Sequence, residues 1–370
     1  MKPDAFARLQ AAYEQRLPAP EGSACVGYVG NTVPVELITA CGARALRIAP
    51  VEGSTAAADR HVEAFSDRDA RLIFAAFVEG RYDTLPLLVV PRSSETWHKL
   101  YLALREARRT GLKTGGPALW LHDVPHTQRD SSRQYGLART RELLDQVAHL
   151  TGRRPDEAAM RQAIGQSNLV RRQLQQLQVW RHEGRLSSWQ AQVATGATHF
   201  MPAAEAQATL ADAMQAVPPV RSPRPRLFVQ GVPLDHAGLH TLVDAAGGVV
   251  VQEEDDWGSR AAGPLIDEHA PPLEAVFDHY WHDVPCLRIQ PAPAGPSAFV
   301  TAWQQGRIDG LLFNLPRPDD LHGWRLPAQR AEAQALGLPC LVLRDDARDG
   351  ETRPALQQAL SAFIQPLRRP

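Results

Sequence analysis

The strongest constraint on the fold is that the chain repeats its own order of elements. Short aliphatic runs at 25–29, 45–48, 87–90 and 118–121 alternate with helical patterns, and a second series follows at 226–229, 249–251, 287–289, 311–313 and 340–343. Such runs separated by amphipathic helices build parallel sheets, because parallel strands need a long return connection. The two series also match in detail. Leu37-Ile38-Thr39-Ala40-Cys41-Gly42 stands before one strand, and Leu242-Val243-Asp244-Ala245-Ala246-Gly247 before its counterpart. In each, a helix ends at glycine, which accepts the left-handed cap, and a strand follows. Val90-Pro91-Arg92 and Leu315-Pro316-Arg317 close corresponding strands, each ahead of a polar loop with a tryptophan, Trp97 or Trp324. The expectation is an α/β protein of two flavodoxin-like parallel-sheet domains related by internal duplication.

A helical segment should join them. Residues 131–150 carry apolar groups at helical spacing and end at Thr151-Gly152. Asp156 can cap a further helix that runs towards Arg181 with Gln and Arg on its outer face, and 186–210 reads as more helix. The proline-rich stretch 218–225 reads as a stiff linker. These signals divide the chain into an N-terminal α/β domain (1–127), a helical connection (128–217) and a C-terminal α/β domain (218–370).

Composition narrows the partners. A chain of 370 residues can bury two cores, and 44% hydrophobic with 22% charged residues is ordinary for a globular protein. The formal charge of −1 leaves no broad basic surface for nucleic acid or acidic lipid. Lysine occurs only at Lys2, Lys99 and Lys113, an excess of arginine that reads as coding bias. The first residues open an amphipathic helix rather than a signal peptide, and no apolar run approaches the roughly 18 residues of a membrane span. Cys25, Cys41, Cys286 and Cys340 are scattered without a Cys-x-x-Cys pair, so the expected compartment is the cytoplasm, with reduced thiols.

Open parallel sheets bind ligands beyond the carboxyl ends of their strands, where helix N-termini present free amides. In the first half those ends carry Asn31, then Arg92, Ser93, Ser94 and Trp97, then His126. In the second they carry Trp257, Ser259 and Arg260, then His322 and Trp324. If the halves face each other, these loops line the cleft between them. Each group also has a structural alternative. Ser93 or Ser94 can cap the helix starting near Glu95, Asp255 and Asp256 can cap a turn, and His126 can be a hydrogen-bonded core histidine. Asp319, Asp320 and His322 offer hard and borderline metal ligands, but no further ligand at recognisable spacing completes a site. No residue is assigned a catalytic role. The chain lacks a Gly-x-x-x-x-Gly-Lys-Ser/Thr loop, a Gly-x-Gly-x-x-Gly turn after the first strand and a Gly-x-Ser-x-Gly elbow, which argues against ATP hydrolysis, nicotinamide chemistry and α/β-hydrolase chemistry.

Taken in order, Gly27-Tyr28-Val29-Gly30-Asn31-Thr32, Pro91-Arg92-Ser93-Ser94-Glu95-Thr96-Trp97, Asp123-Val124-Pro125-His126, Asp255-Asp256-Trp257-Gly258-Ser259-Arg260 and Asp320-Leu321-His322-Gly323-Trp324 resemble the 2-hydroxyacyl-CoA dehydratase/benzoyl-CoA reductase family. The resemblance runs from about residue 27 to 343. It implies paired flavodoxin-like domains and a heterodimer of related subunits. It also implies a separate ATP-hydrolysing iron–sulfur activator that delivers a low-potential electron to 4Fe–4S clusters, for radical chemistry on an acyl-CoA. The segment 100–106 and the 123–126 loop lean towards the ring-reducing branch.

The chain departs from this family where the cluster cysteines belong. Those positions fall at Gly30, near Asp67, and at Asp319. Glycine offers no ligand, and carboxylates replace soft thiolates poorly. Cys25 lies five residues before Gly30, roughly 16 Å away along an extended strand. Cys41 and Cys340 sit in apolar patterns that mark buried thiols, and Cys286 opens a strand at the end away from the loops. The expectation is a subunit that holds no metal or cofactor of its own and pairs with a cluster-bearing paralogue. The alternatives are a non-catalytic scaffold of the same family and a small-molecule binding protein that reuses the cleft.

Overall fold

The structure, a computed structural model, describes residues 3–16, 24–50, 53–63, 67–215, 217, 223–286, 288, 295–317 and 322–368. Helix α1 (Pro3–Gln15) precedes a first lobe of β1 (Cys25–Tyr28), α2 (Val35–Ala40), β2 (Arg44–Arg47), α3 (Arg68–Val78), β3 (Leu87–Pro91), α4 (Glu95–Arg109) and β4 (Ala118–His122). Four helices follow: α5 (Asp130–Thr151), α6 (Glu157–His182), α7 (Ser188–Ala197) and α8 (Ala203–Met214). The second lobe holds β5 (Arg226–Gly231), α9 (Gly238–Ala245), β6 (Val249–Glu253), α10 (Pro272–Asp278), α11 (Ala298–Gln304), β7 (Gly310–Asn314), α12 (Leu326–Ala335), β8 (Cys340–Leu343) and α13 (Arg353–Ile364).

Both sheets are wholly parallel, with orders β2-β1-β3-β4 and β6-β5-β7-β8. The repeated strand order bears out two flavodoxin-like lobes. The local signals behind it hold as well. Gly42 and Gly247 take φ of 80° and 81°, the left-handed conformation expected where α2 and α9 give way to β2 and β6. Ser94 caps α4 by accepting from the Trp97 N–H, and Asp156 caps α6 through Ala159. Asp255 accepts from the backbone N–H groups of Trp257 and Gly258, the turn-capping role open to it from sequence.

Several expectations are corrected. The run 186–210 is two helices, because Pro202 has no N–H to continue α7 and instead starts α8. The Gln- and Arg-rich helix α6 does not keep all its arginines outside: Arg171 and Arg181 are buried. Cys340 is half-buried rather than buried, since β8 is an edge strand. Of the strand expected at 287–289 all but Arg288, most of the linker at 218–225, and Asp319 and Asp320 lie outside the described residues.

The second sheet has an apolar cluster on each face, whereas the two faces of the first recruit distant helices. On one side α1, α7 and α8 share a core with Phe74, Phe77 and Leu88. On the other, α2 and α5 pack with Ile266, Leu273, Val276 and Tyr280, which arrive from beyond β6. Helix α6 is the spine, about 39 Å long at 1.5 Å per residue. It touches α2 in the first lobe and β6 in the second. Among the described residues, no helix is long and apolar enough to cross a membrane.

Candidate functional site

A small cleft lies at the carboxyl end of the first sheet. Thr32 and Pro34 follow β1, His122 ends β4, and Val124 and His126 follow it. Thr140 of α5 closes one side. The roof comes from far along the chain: Phe277 of α10, then Tyr280 and Trp281 on a single π-helical turn, His279–Asp283. The cleft is narrow, with room for about one water molecule. Such π turns are rare and recur at functional sites.

The roof is tied down from several directions. Trp281 Nε1 donates to the Pro125 carbonyl at 2.8 Å, and Arg133 forms an ion pair with Asp278 at 2.7 Å. Phe277 rests on Gly136 of α5, where a Cβ would lie 2.8 Å from its ring. Asn31 Nδ2 donates to the Pro285 carbonyl at 3.0 Å. Tyr280 donates to buried Glu36 at 2.9 Å, and the same carboxylate accepts from Arg171 and Ser167 at 2.7 and 2.6 Å. Burial works against ionisation of Glu36, but Arg171, His279 and these bonds hold its carboxyl below the usual range. Tyr280 stays a phenol, pushed up by burial and by Glu36.

Inside the cleft the polar groups are neutral. Thr140 Oγ1 donates its single hydrogen to the Gly136 carbonyl at 3.0 Å, so it accepts from His122 Nε2 at 3.1 Å. His122 is pushed down to about 4, first by burial and then by neighbouring His126. His126 is also pushed down to about 4, by burial and then by Arg288. Two buried polar atoms, His126 Nδ1 and Thr32 Oγ1, have no hydrogen-bond partner among the described residues. Buried polar atoms are nearly always satisfied, so orphans that line a cleft mark where a ligand or water can bind.

The other residues expected at a site are dispersed. Arg92 pairs with Asp123 at 3.0 Å, Ser93 is buried, and Trp97 is half-buried against Gly30. Trp257 is a bolt between the lobes: the Arg47 guanidinium sits 3.7 Å from its ring centroid and pairs with Asp256. Ser259 accepts from the Glu253 N–H and donates to Gln178, while Arg260 pairs with Glu254 at 2.6 Å. His322 is half-buried, and Trp324 is 85% exposed.

Where the carboxyl ends of the two sheets meet, ion pairs join them. Arg348 reaches Asp69 at 2.8 Å and Asp346 at 2.9 Å, Arg68 reaches Asp346 at 3.3 Å, and Arg16 reaches Asp235 at 2.9 Å. Burial pushes the Asp69 carboxyl up, against the pull of Arg348. Sequence reasoning placed Thr32 in a strand-end loop but missed His122, Tyr280, Trp281 and Glu36 as site groups. The run His279-Tyr280-Trp281-His282 after Pro271-Pro272 was the available signal for the roof.

The sequence model of the family described as 2-hydroxyglutaryl-CoA dehydratase, D-component, matches residues 31–367. Among curated proteins no match is found.

Proposed function

We propose, on the premise that the chain belongs to the 2-hydroxyglutaryl-CoA dehydratase D-component family, that it is a subunit of an ATP-driven radical acyl-CoA enzyme whose iron–sulfur cluster is carried by a paralogous partner chain. One observation carries the second half of this reading. Gly30, at the family's first ligand position, has φ of +70°, and a Cβ there would lie 3.0 Å from Trp97 Nε1 and 3.2 Å from Pro91 Cγ. The space a ligating side chain would use is filled by the indole. Asp67, near the second position, accepts from the Asp69 N–H as the cap of α3 and joins the carboxylates around Arg348. A hydrogen-bonded carboxyl among arginines is no substitute for a thiolate on iron. The residues at Gly30 and Asp67 do not fit a cluster.

The cleft supports a working subunit. A neutral His126 and the Thr32 hydroxyl, beside aromatic groups, offer hydrogen bonds to a small neutral polar group at a water-poor strand end. The nucleotide end of a CoA ester would lie outside, towards Arg92 and Arg288, each already in an ion pair, with Asp123 and Glu95 respectively. The scaffold reading draws its support from the ion-paired junction between the lobes. Scattered cysteines without a Cys-x-x-Cys pair accord with a cytoplasmic setting.

Iron and acid-labile sulfide, measured on anaerobically purified protein alone and co-expressed with its nearest encoded paralogue, test the proposal. Iron in the co-expressed complex only is the expected result. A stoichiometric cluster in the lone chain overturns the argument from Gly30, and an iron-free complex favours the scaffold.

A further inference from the structure

The roofed cleft at the carboxyl end of the first sheet is bordered by two buried hydrogen-bonding groups with capacity to spare. Thr32 is 4% exposed and His126 5%, and neither Thr32 Oγ1 nor His126 Nδ1 meets a hydrogen-bond partner among the described residues. Both residues line one narrow space with room for about one water molecule. They also stand beside the two residues that the roof already grips. Asn31, next to Thr32, donates to the Pro285 carbonyl at 3.0 Å, and Pro125, next to His126, accepts from Trp281 Nε1 at 2.8 Å. The roof is thus bonded directly to the loop after β1 and to the loop after β4, and the two orphaned atoms lie where those loops border the same space.

Size and charge together constrain the occupant. The lining carries no lysine, arginine, aspartate or glutamate, so neither an anion nor a cation would find a counter-charge to replace its hydration. His122 and His126 are neutral at pH 7, each pushed down to about 4, first by burial. An apolar group would leave both orphans unsatisfied, which costs more than immobilising one water.

We propose that this space is a site for a single ordered water, bonded to Thr32 Oγ1 and to His126 Nδ1, and that the water is the third side of a triangle that holds the roof closed. Roof to first loop and roof to second loop are direct bonds, and loop to loop runs through the water. Thr32 and His126 position the π-helical turn His279–Asp283 in this way. The site calls for the water whether or not the chain handles an acyl-CoA.

The full wild-type chain and two variants of Thr32 test this. A high-resolution crystal structure should show a density peak about 2.7–3.2 Å from both Thr32 Oγ1 and His126 Nδ1. Thr32→Val keeps the shape of the side chain and removes its hydroxyl, so amide exchange across 279–284 should quicken about two- to tenfold, the weight of one neutral hydrogen bond. Thr32→Ser keeps the hydroxyl and removes the methyl, and should quicken that exchange less than Thr32→Val does. A role for Thr32 in packing alone predicts the reverse order. A dry cleft, a protein group bonded directly to either orphaned atom, or a roof loosened by Thr32→Ser as much as by Thr32→Val overturns the inference. So does unchanged exchange in Thr32→Val. The crystal result decides even if a variant does not fold.

Discussion

The two lobes have the same strand order and opposite treatment of their carboxyl ends. In the first, the end of β4 opens on a cleft of neutral groups with two orphaned polar atoms, roofed by a distant segment. In the second, the end of β6 is a buried ion pair with a histidine beside it, in which Glu253 accepts from both Arg181 and His240. Burial opposes the Glu253 charge, yet Arg181 and His240 hold its carboxyl down at about 2. One architecture thus yields a small polar cleft and a filled ionic one. The sheet decides where loops converge, and the loops decide whether anything is left for a ligand.

The difference can be broken most forcefully in the second lobe. Arg181→Met leaves Glu253 buried without its main counter-charge, and chemical denaturation should show a loss of about 3–5 kcal/mol. Glu36→Gln should cost less, about 1–3 kcal/mol, because the amide retains some of the bonds to Arg171, Ser167 and Tyr280. Its signature should lie in the roof, as faster amide exchange across 272–284.

Acid should separate the lobes as well. His126 is held near 4 against an ordinary 6.5, so the unfolded chain binds the proton first. Its contribution is complete above pH 6.5 and is lost as pH falls through 4. Glu253 is depressed from 4.5 to about 2, so its contribution is complete above 4.5 and lost as pH falls towards 2. Asp69 runs the other way: raised from 3.8 to about 8, it favours the folded state at low pH and loses that advantage as pH rises to 8. NMR titration should find the His126 ring flat from pH 8 to 5. A midpoint near 6.5 would contradict the burial argument. The smallest effect should be that of Trp324→Ala, within about 0.5 kcal/mol, since the indole is 85% exposed.

What could be read from sequence was local. The caps at Gly42, Gly247, Ser94 and Asp156 lie within a few residues of the groups they satisfy, so spacing alone reveals them. The site was legible in part: His126 sits at a strand end, where parallel sheets place ligands. Its companions were not. Tyr280 and Glu36 are 244 residues apart, and no local pattern reports that pairing. Arg181 was misread because a Gln- and Arg-rich helix normally faces water, whereas here it crosses the core to reach Glu253. Trp97 and Trp324, which match in sequence position, part company because one packs on Gly30 and the other faces solvent.

The most direct test of this asymmetry is hydrogen–deuterium exchange of the full chain with and without saturating benzoyl-CoA. The account predicts protection at 31–34, 122–126 and 272–284, with the second lobe unchanged at 231–236 and 253–260. Protection confined to the second-lobe segments would contradict it.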